Sequence, residues 1–151
     1  MIHFENLTQE EIQILMETVP AISFYVGNAD GKFDEDEKAW ATRLTAIRSF
    51  SGDKILRDFY EHIEKNQASL CDAVVANSPT DQQEKIDFYA TKIARANAPL
   101  SKLDHKIAQH LYESFYTYGE QIAKLTGGIL GFGGIDASEN KAIKLSMLNK
   151  I

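Results

Sequence analysis

The stretch TQEEIQILMETVPAISFYV, Thr8–Val26, decides the class of fold. Ile12, Leu15, Val19, Ile22 and Val26 recur every three or four positions, the period that lines one face of an α-helix with apolar side chains. Thr8 stands where an N-cap belongs, with Glu11 three positions on. In that pairing the hydroxyl accepts from an orphan helical amide and the carboxylate accepts from the cap's own amide. Pro20 falls inside the run, has no amide hydrogen and crowds the preceding turn, so a kink or break is expected there.

The same period continues outward along the chain. Asp34 reads as the N-cap of a second helix, with Trp40, Leu44 and Ile47 as its inward stripe and Ser51-Gly52 as its end. A third helix, from about Asp53 to Lys65, carries Leu56, Phe59 and Ile63, and a segment from Gln67 to Ala76 places Leu70, Cys71 and Val74 on one side. Asn77-Ser78-Pro79-Thr80 reads as a loop. Thr80 then caps a helix that runs to about Asn97, with Gln83 completing the box and Ile86, Tyr89 or Ala90, and Ile93 inward. After Pro99, Ser101 is expected to cap a long helix carrying Leu103, Ile107, Leu111, Phe115 and Ile122. Tyr112, Phe115, Tyr116 and Tyr118 on it read as core with a partly exposed edge. A Gly-rich hinge at 127–134, GGILGFGG, interrupts it before a last helix from about Ala137 with Ile143, Leu145 and Leu148. Strand signals are nearly absent, so the expectation is an all-α fold, one domain over residues 1–151 with about seven helices.

Composition narrows the function classes. Sixteen basic and twenty-two acidic residues give a net charge of −6, which argues against non-specific binding to nucleic acid, where phosphate neutralisation needs a concentrated basic face. A single cysteine cannot form an internal disulfide, which fits a reducing compartment. The start lacks a basic region followed by an apolar run, and no apolar stretch approaches the ~20 residues of a membrane-spanning helix. A cytoplasmic location, with no membrane span, is the expectation.

NADGKFDEDE, Asn28–Glu37, holds five carboxylates within eight positions. Set as an EF-hand loop with Gly31 at position six, it offers Asn28, Asp30, Asp34 and Glu37 at ligand positions, but Val26 opens it without a side-chain oxygen. An ordinary EF-hand is therefore not expected. Another geometry stays open: Asp34 and Glu37 lie one turn apart at a helix start and Asp30 can fold back over that end, with Asp36 as an addition. Carboxylates so gathered repel unless a cation or water separates them. The competing reading is a solvated turn, acidic for capping and solubility, and residue types alone put it ahead.

The pattern of turn, apolar anchor, capping residue and acid three positions on recurs. It runs from Ala29 to Glu37, from Ala96 through Ser101 to Asp104, and from Gly131 through Asp136 to Glu139. In Ala29, Asp30, Gly31, Phe33, Asp34 and Glu37, followed by Trp40 and Leu44, the chain resembles the TerB-like group, and Ala96, Leu100, Ser101, Asp104, Ile107 and Leu111 are similar in the second half. The resemblance covers about residues 8–150. It implies an all-helical fold of two related halves in bacterial proteins linked to tellurite resistance and stress response, with a metal-sensing or scaffold role and no settled catalytic activity. In the second copy Asn97-Ala98 replaces Asp-Gly, removing a carboxylate and the permissive glycine, so a site drawing acids from both halves would be poorer here.

Other chemistry has little to stand on. His105 and His110 are five apart on one helix and do not lie side by side, and adjacent Glu61 and His62 do not face each other. Cys71 has no basic neighbour to lower its pKa and reads as a buried thiol. GGILGFGG follows no strand and precedes no Lys-Ser/Thr, so it fails as a phosphate cradle. Two readings remain, neither enzymatic. One is a module that binds a divalent cation (calcium, magnesium or zinc) through Asp30, Asp34, Asp36 and Glu37. The other is a metal-independent interaction module presenting its acidic face and its Gly-rich apolar hinge to a protein partner, such as a membrane-associated stress complex.

Overall fold

The computed structural model describes residues 1, 3–29, 54–129 and 142–151, with the backbone alone for 125–129. These residues are all-α and contain no strand. In chain order they form α1 (Gln9–Gly27), α2 (Arg57–Lys65), α3 (Gln67–Val75), α4 (Gln82–Ala94), α5 (Asn97–Lys102) and α6 (His105–Ile129).

Helix α1 is the hub, packing against α6, α4, α3 and α5. Its start is the capping box read from sequence: the Thr8 hydroxyl accepts from the Glu11 amide at 3.1 Å, and the Glu11 carboxylate accepts from the Thr8 amide at 2.9 Å. Leu15, Val19, Ile22 and Val26 are fully buried and Ile12 is half-buried. The expected break at Pro20 does not occur, and one helix runs from Gln9 to Gly27. Proline in a helix interior costs about 3 kcal/mol. Here Thr18 through Ser23 are all buried, and that packing outweighs the lost bond.

The core around α1 is completed by Leu70 and Val74 from α3, Tyr89 and Ile93 from α4, and Ile107, Leu111, Phe115, Tyr118 and Ile122 from α6, with Phe59 and Ile63 of α2, which packs on α3, buried in the same cluster. Among the described residues the expected inward positions are therefore core residues, except that Ile12, Cys71, Ile86 and Ile143 are half-buried. On the aromatic face of α6, Phe115 and Tyr118 are buried while Tyr112 and Tyr116 form a half-buried edge with centroids 4.9 Å apart.

Helix starts depart from expectation at two caps. Asp81, not Thr80, caps α4, its carboxylate accepting from the Glu84 amide at 3.0 Å. Ser101 lies inside the short α5, where its hydroxyl donates to the Ala98 carbonyl at 2.6 Å. Asp104 instead starts α6: its carboxylate accepts from the Lys106 amide at 3.0 Å and its carbonyl from the Ala108 amide at 2.9 Å. Pro99 fits the first turn of α5, where its missing amide would have had no helical partner. The unit from Ala96 to Asp104 is thus a short helix and a turn, and its cap stands three positions later than the repeat requires.

At the far end α6 continues through Ile129, so residues 127–129 of the expected hinge are helical, while 130–134 lie outside the described residues. Of the last expected helix, residues 137–141 lie outside the described residues and Ala142 is helical, but residues 143–148 form turns, with Leu145 at φ 41°. That left-handed value ends any helical course for a residue with a β-carbon.

Candidate functional site

The four expected cation ligands, Asp30, Asp34, Asp36 and Glu37, lie outside the described residues, as do Trp40 and the rest of the second expected helix. The described residues before them end α1. Asn28 closes α1 at φ −89° and ψ 0°, and both its amide and its Nδ2 donate to the Phe24 carbonyl, at 3.1 and 2.8 Å. The Ala29 amide donates to the Val26 carbonyl at 3.2 Å. Across the surface, Gln82 at the start of α4 donates its Nε2 to the Asn28 carbonyl at 2.6 Å. Beneath this link Phe24 stacks on Tyr89 at 5.5 Å between centroids, and the Tyr89 hydroxyl donates to Ser78 Oγ at 3.2 Å. Two helices and a loop therefore hold the residue from which the acidic stretch departs.

The carbonyl end of α1 carries the negative pole of the helix, and its last turn has no basic side chain to offset it. A cavity of about 340 Å³ adjoins it, lined among the described residues by Tyr25, Ala29, Gln82, Gln83, Asp87 and Ala142, among others. Burial pushes the Tyr25 hydroxyl above its ordinary pKa, and the negative charge of Asp87 pushes it further. The positive N-terminal pole of α4 is answered locally by the Asp81 cap and by Glu84 in its first turn.

Among the described residues no three or more His, Cys, Asp or Glu side chains gather as a metal group. His105 is exposed and His110 half-buried, on different faces of α6. His62 pairs with Asp58 four positions back, 3.4 Å between Nδ1 and the carboxylate, while Nδ1 also lies 2.8 Å from the Asp58 carbonyl. Cys71 Sγ accepts from Gln67 Nε2 at 3.5 Å. No described helix is long and apolar enough to cross a membrane. Sequence reasoning missed the Gln82–Asn28 link, which spans 54 positions and leaves no mark in the local pattern. Comparison of the chain with protein-family models, with curated proteins and with solved structures gives no match.

Proposed function

We propose that this chain is a non-enzymatic, TerB-like helical module that binds a divalent cation through Asp30, Asp34, Asp36 and Glu37, in the bacterial stress-response setting that the resemblance to tellurite-resistance proteins implies. One observation carries the reading: five carboxylates follow directly on the negative end of α1, whose last turn supplies no basic side chain, with Asp87 on the adjoining wall. Like charges so placed raise one another's energy, and a divalent ion converts that repulsion into attraction. The competing reading, a partner docked on a Gly-rich hinge, has less to draw on because residues 127–129 continue α6.

The test is a calorimetric titration with calcium, magnesium and zinc, repeated on Asp30→Ala and Glu37→Ala. Trp40, the single tryptophan, lies three positions beyond Glu37 and gives a fluorescence readout. Micromolar binding to the wild-type chain that both substitutions abolish is the expected result. No heat with any of the three ions and unchanged fluorescence would return the stretch to a solvated turn.

A further inference from the structure

The segment 142–151 is held differently from the rest of the molecule. Its buried residues Ala142, Leu145 and Leu148 recur at intervals of three, and two turns join them: the Leu145 amide donates to the Ala142 carbonyl at 3.1 Å and the Leu148 amide to the Leu145 carbonyl at 2.9 Å. Lys144, Ser146, Asn149 and Lys150 are exposed. Leu145 inserts beside Gly119 on α6, where a β-carbon would stand 3.8 Å from its Cδ1, 3.5 Å from Ile22 and 3.8 Å from Val26 of α1.

Two side chains fasten the backbone of this segment from outside. The Tyr116 hydroxyl donates to the Lys144 carbonyl. Asn97 donates its Nδ2 to the Met147 carbonyl at 2.8 Å, and its Oδ1 accepts from the Asn149 amide at 2.8 Å. The carboxamide thus reads a main chain as a neighbouring strand would, through one acceptor and one donor. A cleft of about 330 Å³ lies alongside, lined by Asn97, Ser101, His105, Asn149 and Lys150 among others, so water reaches the fastening. Leu145 holds a left-handed backbone that a side chain disfavours, and departure of the segment relieves it.

We propose that residues 142–151 are a displaceable strap, a local opening unit clamped by Asn97 and Tyr116. Its release withdraws Leu145 from Ile22, Val26 and Gly119 while α1 to α6 keep their own hydrogen bonds. Ala142 also lines the cavity beside Ala29 and Gln82, so release removes part of that wall, but the proposal does not rest on cation binding.

Native-state hydrogen exchange of the full chain tests it, amide by amide. In the wild type, the amides of Leu145, Leu148 and Asn149 are expected to exchange at least about tenfold faster than those of the buried stretch of α1, through an opening smaller than global unfolding. Asn97→Ala removes two hydrogen bonds and is expected to speed the strap amides by about tenfold further, with α1 and α6 unchanged. Tyr116→Phe removes the other fastening at a half-exposed position and is expected to act in the same direction, which keeps the comparison open if the Asn97 variant does not fold. Strap amides that exchange with the slowest amides of α1, or variants that speed both alike, would overturn the proposal and make the segment an inseparable part of the core.

Discussion

Gly119 offers the sharpest check on how α1, α6 and the strap fit together. It is buried in the middle of α6, and a β-carbon added there would meet Ile22, Val26 and Leu145 at 3.5–3.8 Å, ordinary contact distances. Alanine in a helix interior is favoured over glycine by about 1 kcal/mol, because glycine loses more backbone entropy on folding. The added methyl also leaves water, and a buried carbon contributes up to ~0.8 kcal/mol, an upper figure since the unfolded chain already shelters part of it. Gly119→Ala is therefore expected to stabilise the protein by about 1–1.5 kcal/mol. For a chain of this length that raises Tm by roughly 3–5 °C. Gly119→Val extends two further carbons toward neighbours already in contact and is expected to reverse the sign, costing about 1–3 kcal/mol through overpacking. Urea titration with a fixed m-value, paired with calorimetry, reads both variants. Destabilisation by alanine of 1 kcal/mol or more would mean that the groove leaves no space for the methyl, and the packing argument would fail.

Two further predictions concern polar contacts. Ser23 Oγ and Tyr118 Oη lie 2.7 Å apart in the core, so a double-mutant cycle with Ser23→Ala and Tyr118→Phe should give a coupling of about 1 kcal/mol; a coupling near zero would leave the pair without energetic weight. Glu11 is held below its ordinary pKa of 4.5, first by the hydrogen bond from Lys102 and then by the Thr8 amide. A carboxyl depressed on folding contributes stability that is present above the unfolded value and lost as pH falls through the folded one. Denaturant titrations below about pH 4.5 should therefore show a steeper loss in the wild type than in Glu11→Gln, and parallel curves would remove the argument.

What was legible in the sequence follows from which signals are unambiguous. The Thr8–Glu11 box and the stripe from Leu15 to Val26 needed only local physics, and both formed as expected. Caps were harder where good capping residues adjoin. Thr80 and Asp81 can each accept an amide, as can Ser101 and Asp104, and the choice falls to whichever residue adopts extended backbone at the right point. Beyond Ala142 the last helix was misread because Ile143, Leu145 and Leu148, two and three positions apart, suit successive turns as well as a helix. Nothing local marks Asn97 as a clamp, since its partners lie 50 and 52 positions away. The acidic stretch was legible as composition, yet the nearness of Asp87 and Gln82 to the end of α1 that precedes it required tertiary placement.

The buried polar pairs explain why the centre of this molecule has one arrangement. Ser114 and Tyr118 stand four apart on α6, and therefore on one face. Ser114 meets Tyr60 of α2, while Tyr118 meets Ser23 of α1. Apolar contacts alone would tolerate a small rotation or slide of α6, because leucine and isoleucine faces interdigitate in several ways. A rotation of one residue would separate both pairs and leave buried hydroxyls facing hydrocarbon, at about 1–3 kcal/mol for each group. Two such pairs on two different partner helices set both the rotation and the height of α6. The ends of this fixed frame then carry features that rest on few contacts. One is the end of α1 at Asn28, tied by Gln82, and the other is the strap, tied by Asn97 and Tyr116. Change on binding is consequently expected at those ties before it reaches the α1–α6 interface, where Ser23 and Tyr118 give the body a single register.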